Sequence, residues 1–224
     1  MLELFKKYRL FFIVMFLLSA VILILFYNAL KPQKQLPIYT PSMVNPEMVD
    51  STIQHHANKK QHQIADFEFI NQNNVKITQD TYKDKIYIAD FFFTTCQTIC
   101  PIMTDNMTLV QQEIKDMDDV MILSHSVTPE IDTPEVLKQY ALKKGVDDTK
   151  WNLVTGKKED IFFIARKSYL AVKTGDPSQM YDMVHTENFV LVDKKKRVRG
   201  FYDGTKLEDI EKLIEDIKLL RSDK

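Results

Sequence analysis

Cys96 and Cys100 are the only two cysteines in this 224-residue chain. They stand four apart in IADFFFTTCQTICPIMTDNM, behind an apolar run and just ahead of Pro101. Three chemistries suit such a pair: a redox dithiol, a metal clamp and a structural disulfide. If the run Lys85–Phe93 is a strand ending near Thr94, Cys96 lies in the turn and Cys100 at the start of the next helix. A helix N-terminus offers free N–H groups and positive potential, which stabilise a thiolate. Residues four apart lie on one side of a helix. Their sulfurs can therefore bond to each other or converge on one ion.

The spacing bears on that choice. Thioredoxin-like redox pairs read as C-x-x-C, and here the spacing is C-x-x-x-C. The extra residue widens the loop and suits two thiolates turned toward a shared metal. Two soft thiolates leave a site incomplete, and an imidazole as third ligand suits copper. A closed zinc site needs four protein ligands, and no further cysteine exists. A disulfide staple over so short a loop would add modest stability and would waste a strand–helix junction.

Two histidines compete for the third position. His125 lies near the end of the run DVMILSHSV. His185 lies in YDMVHTENFVLVD, just ahead of a strand, and reaches the cysteines only if that strand runs antiparallel to the first. Each reads equally well as a structural histidine, and spacing does not separate them. His55, His56 and His62, in QHHANKKQHQ, read as solvated linker residues.

The elements that must position these groups follow from pattern. ADFEFINQNNVKIT reads as a β-hairpin turning at Asn71–Asn74. KIYIADFFF and DVMILSHSV read as buried central strands. A helix is expected over about 102–116, with Pro101 in its first turn. Thr133 caps a helix that Pro134 opens and Gly145 ends. Another helix is expected over about 158–170, with Ile161, Ile164 and Ala165 on one face. Asn188–Val192 and Val198–Tyr202 read as a closing hairpin. A last helix is expected from Thr205, with Glu208 completing a capping box. The order is hairpin, strand, helix, strand, helix, helix, strand, strand, helix. It implies a mixed α/β sheet with helices on both faces, the thioredoxin-like layout.

The N-terminal end differs in kind. LFFIVMFLLSAVILILFY, residues 10–27, carries no charge. With the three residues behind it, it is long enough to cross about 30 Å of hydrocarbon as a helix. No small-residue cleavage pattern follows Tyr27, so a transmembrane anchor over 10–30 is expected. Lys6, Lys7 and Arg9 precede it and Lys31 and Lys34 follow. The slight excess orients residues 1–9 to the cytoplasm. The thiols would then face an oxidising, extracytoplasmic compartment such as the periplasm. Residues 31–60, with four prolines, read as a linker, and 61–224 as one folded domain. Thirty Lys and Arg balance 31 Asp and Glu, a net charge of -1, so nothing electrostatic calls for nucleic acid.

Three stretches, FFFTTCQTICPIM, SVTPEIDTPEVLKQYA and VHTENFVLVDKKKRVRGFYDGT, resemble the SCO/SenC family of membrane-anchored copper chaperones, in that family's order and behind its anchor. The resemblance implies a thioredoxin-like copper-binding domain. It also implies delivery of copper, as Cu(I) or Cu(II), to the dinuclear copper centre of cytochrome c oxidase, or reduction of that centre's cysteines. Carried over, Cys96, Cys100 and His185 are the metal ligands, and Cys96 and Cys100 are the redox pair of a thiol–disulfide oxidoreductase. The implied partner is the oxidase's copper-bearing subunit or another copper protein. Two positions depart: Gln97 stands where many members have proline, and Thr128 where the family often has aspartate. Other features read as structure. Met103, Met107 and Phe91–Phe93 suit a core, Lys194–Arg197 a solvated hairpin tip, and Trp151 has no role assigned. Tyr181, Asp182 and Met183 lie beside His185.

Overall fold

The computed structural model of the chain describes residues 7–30, 35–44, 62–170 and 186–222. The chain forms two compact units, Met1–Gln35 and Leu36–Lys224. The first contains helix α1 (Arg9–Leu30). Within it, Arg9–Tyr27 has a mean hydropathy of 3.0 and is long and apolar enough to cross a membrane.

The second unit is built on a seven-stranded sheet. Its strands are β1 (Glu68–Asn71), β2 (Lys76–Thr78), β3 (Ile86–Phe92), β4 (Val120–Ser126), β5 (Trp151–Thr155), β6 (Asn188–Val192) and β7 (Val198–Asp203). They lie in the order β2-β1-β5-β4-β3-β6-β7. β3, β4 and β5 are parallel, and β6 runs antiparallel to β3. The helices are α2 (Ile99–Ile114), α3 (Pro134–Lys144), α4 (Lys158–Phe163) and α5 (Leu207–Ser222). This is the expected mixed sheet with helices on both faces and an N-terminal hairpin.

Strand parity sorts the core. Every residue of β3 is buried, and successive side chains point to opposite faces. Ile86, Ile88 and Phe92 join one cluster with Cys100, Met103 and Met107 of α2, Leu137 of α3 and Ile210 of α5. Tyr87, Ala89 and Phe91 join the other, with Ile161 of α4 and Ile164. Met103 and Met107 are thus core residues, as their spacing suggests.

Local chemistry ends the elements where the sequence says it should. Thr133 Oγ1 accepts from Val136 N, Pro134 opens α3, and Gly145 closes it at φ 70. In the first hairpin, Asn71 Oδ1 accepts from the N–H groups of Asn73 and Val75, and Asn74 turns the chain at φ 58.

Four expectations about the elements need correction. α2 begins at Ile99, three residues before the expected start, so Cys100 lies in its first turn. β5 was not expected at all; WNLVT is a fully buried run too short to announce itself between two helices. The expected helix over 158–170 is α4 followed by a π-turn, Ile164–Ser168. Finally, Thr205 forms no capping box with Glu208. Its hydroxyl donates to Asp203 Oδ1, while Asp209 Oδ2 accepts from Asp203 N, and α5 starts at Leu207.

The start of the expected linker also behaves differently. Leu36 is buried in the Cys100-side cluster. Arg199 of β7 donates to the carbonyls of Pro37 and Leu36 at 2.9 and 2.7 Å, and Tyr39 N donates to Val198 O. Residues 36–44 therefore form a strap whose first part, 36–39, lies along β7, one of the two edge strands of the sheet. His62 is also tied down, its Nε2 donating to Ser168 O at 2.7 Å. His55 and His56 lie outside the described residues.

Candidate functional site: a dithiol at the end of the central strand

β3 ends at Phe92, and the chain turns through Phe93–Thr98 into α2. Cys96 sits in this turn, half-buried, and Cys100 is buried in the first helical turn; both are free thiols. Cys96 N donates to Phe93 O at 3.3 Å, closing the turn. Thr98 Oγ1 lies 3.6 Å from Cys96 Sγ. The helix start therefore wraps around one sulfur and buries the other.

The two thiols differ sharply as acids. Partial burial alone would raise the Cys96 pKa. Hydrogen bonds from the backbone at Thr98 and Cys100, and from the Thr98 hydroxyl, overcome that and bring it from 9.0 to about 7. Burial pushes Cys100 up to about 12 against a backbone hydrogen bond at Phe93, with Cys96 and Asp90 adding to the rise. Cys96 is thus the more readily ionised thiol of the pair, and the thiolate is the species that attacks disulfides and binds metals. Cys100 is the sheltered, less acidic one.

Beneath the pair lies a residue that the sequence reading missed. Asp90, between Ile88 and Phe92, faces the Cys100 side and is buried. It accepts from Ser124 Oγ, and Ser124 Oγ accepts from Trp151 Nε1 at 2.7 Å, which gives Trp151 its role. Burial pushes the Asp90 carboxyl up to about 7, against the Ser124 hydrogen bond. An acidic residue inside an otherwise apolar strand, IYIADFF, was the available signal.

A second buried carboxylate organises the turn. Asp132 is 0% exposed. Oδ2 accepts from Thr94 N at 3.2 Å, from Ser126 Oγ and from Thr128 Oγ1 at 3.0 Å; Oδ1 accepts from Thr94 Oγ1. Thr128, the departure noted above, is thereby part of this cluster.

His125 does not reach the thiols. It pairs in register with Phe91 and faces the opposite side of the sheet, where its ring stacks on Phe91 at 5.0 Å and meets Phe69 and Tyr169 edge-on. Its Nδ1 donates to the Asp90 carbonyl at 3.2 Å. Burial drops its pKa to about 4. His185, with Tyr181, Asp182 and Met183, lies outside the described residues. Among the described residues no group of three His, Cys, Asp or Glu converges on a metal position; Cys96 and Cys100 supply two sulfur donors.

The hairpin Lys194–Arg197 is indeed an exposed tip, pinned by ion pairs: Lys194 to Asp119 and Lys196 to Asp66, both at 2.7 Å, and Arg197 to Asp193.

Known proteins share this fold. The family model SCO1/SenC matches residues 55–221. A SCO1/SenC family lipoprotein from Bacillus anthracis is 34% identical, with 74% of this chain and 98% of that one aligned at a TM-score of 0.65. BsSco, described with a disulfide switch and as a member of the Sco family of cytochrome c oxidase assembly proteins, is 32% identical over 75% of this chain and 98% of its own, at a TM-score of 0.63. ScoI from Bradyrhizobium japonicum, solved with copper bound, is 25% identical over 70% and 98%, at a TM-score of 0.56. The family-model match over most of the chain, together with the likeness to these solved structures, establishes that this chain belongs to the SCO1/SenC family.

Proposed function

We propose that this protein is a membrane-anchored copper chaperone that carries copper on Cys96, Cys100 and His185 to the dinuclear copper centre of cytochrome c oxidase during its assembly. The observation that carries the reading is the pair of free thiols at a helix start, one of them with its pKa lowered to about 7. Two soft sulfur donors fit Cu(I), and a low thiol pKa reduces proton competition for the metal. His185 as third ligand is supported by strand direction. β6 runs antiparallel to β3, with Ala89 opposite Val190. Asn188 therefore begins β6 at the edge where β3 ends, and His185 precedes it by three residues. Helix α1 serves as a single-pass anchor, with the N-terminus cytoplasmic and the domain outside.

Cu(I) is the cargo. A three-coordinate site with one half-exposed sulfur favours handover by ligand exchange over storage. The test is a Cu(I) competition titration of the reduced full chain in detergent. One equivalent bound, lost in Cys96→Ser and weakened in His185→Ala, is expected. Absence of stoichiometric binding, or indifference to the His185 change, overturns the reading.

A specific observation favours a second activity on the same residues. The split between Cys96 at about 7 and Cys100 at about 12 suits a thiol–disulfide oxidoreductase in which Cys96 attacks and Cys100 resolves. Loading copper onto an oxidised acceptor requires its cysteines to be reduced first, so the two roles can act in sequence.

A further inference from the structure

Asp132 stands out as a fully buried carboxylate whose partners are all uncharged: Thr94 N, Thr94 Oγ1, Ser126 Oγ and Thr128 Oγ1. Among the described residues no lysine or arginine pairs with it. Its oxygens bridge the ends of β3 and β4, the two strands beside the dithiol. Thr94 lies two residues before Cys96, and both its backbone and its side chain are held. Such a buried carboxylate costs free energy to desolvate unless its hydrogen bonds offset that cost, and four donors converge to do so. Thr128 supplies one of them, which an aspartate at that position could not.

We propose that Asp132 is a positioning residue for the dithiol. Through Thr94 it fixes the segment carrying Cys96 and so sets how readily Cys96 Sγ meets Cys100 Sγ. The inference rests on the reading of this pair as the working site, but it does not depend on copper. Closure of the pair by oxidised glutathione forms the Cys96–Cys100 bond and breaks the glutathione disulfide. Two electrons and two protons pass to give two reduced glutathione molecules. The equilibrium constant of that exchange is the effective concentration of one protein thiol at the other.

The experiment measures this constant for the full chain in detergent, in glutathione buffers. Thr94→Val removes the hydroxyl and keeps the shape; Thr94→Ser keeps the hydroxyl. A lost hydrogen bond of this kind changes an equilibrium by about three- to tenfold. Thr94→Val is expected to lower the constant by about that factor, Thr94→Ser to leave it near wild type, and Asp132→Asn to lower it at least as far. Asp193→Asn is the control: it alters another buried carboxylate, in the β6–β7 hairpin at the opposite end of β3, and is expected to have no effect. Equal constants for the two Thr94 variants, or an equal shift from Asp193→Asn, would overturn the proposal. The Thr94 pair decides the matter even where Asp132→Asn does not fold. A chain that binds no Cu(I) but shows the Thr94 difference would sink the chaperone reading and leave the clamp standing.

Discussion

Two buried ionisable side chains, Asp90 and His125, face opposite sides of the sheet, and they oppose each other in pH dependence. Burial holds Asp90 at about 7, against 3.8 in the unfolded chain. The folded state therefore keeps a proton that the unfolded state loses. That contribution to stability is fully present below 3.8 and is lost as pH rises toward 7. Burial holds His125 at about 4, against 6.5 unfolded. Its contribution is fully present above 6.5 and is lost as pH falls toward 4. Between these limits the two slopes cancel, each being about 1.4 kcal/mol per pH unit for one proton. Chemical denaturation of Asp90→Asn is expected to show stability rising with pH between 4.5 and 6.5, relative to wild type. His125→Phe is expected to show it falling. Parallel profiles for wild type and both variants would contradict the assignment. The same parity that divides these groups turns His125 away from the thiols. His125 shares its face with Leu123 and Val127, whereas Ser124 looks toward Asp90 on the Cys100 side.

At the scale of elements, the strap over residues 36–44 depends on Arg199. Its guanidinium, nearly buried, bonds two strap carbonyls and Asp193 Oδ2. Burial alone would raise the Asp193 pKa, but Arg197 and Arg199 hold it below its ordinary range. Removing one member of a buried ion pair costs on the order of 3 kcal/mol, part of which Arg197 would offset here. Arg199→Ala is expected to lower stability by about 2 kcal/mol and to expose residues 36–44 to limited proteolysis, with β7 otherwise intact. Protection equal to wild type would show that the strap holds without its clasp. Much of this architecture was legible beforehand. The alternating and fully apolar runs announced six of the seven strands, and Thr133, Pro134 and Gly145 bounded α3 to the residue. β5 escaped because five residues between a turn and a helix carry no period of their own. They become a strand only by lying beside β4, with Leu123 opposite Asn152. The strap escaped for a similar reason: Leu36, Pro37 and Tyr39 look like linker until Arg199 is seen across some 160 positions. The Thr205 box failed because Asp203 Oδ1 accepts from both Thr205 N and the Thr205 hydroxyl.

At the scale of the whole molecule, an apolar helix precedes a thioredoxin-like domain with a dithiol at the end of its central strand. The cysteines could be found from their spacing and the strand ahead of them. That Cys96 would be the more acidic thiol could be expected from its place in the turn; that burial raises Cys100 could not, because it arises from the wrap of α2, which begins earlier than the sequence suggests. The choice between His125 and His185 came from resemblance, and sheet parity now removes His125 on physical grounds. The central claim is that two sulfurs and one imidazole hold copper together. X-ray absorption of the full chain loaded with one equivalent of Cu(I) tests it most directly. We predict two sulfur neighbours and one nitrogen neighbour around copper, with the nitrogen lost in His185→Ala and the sulfurs retained. A copper shell of sulfur alone, or one unchanged by that substitution, would contradict it.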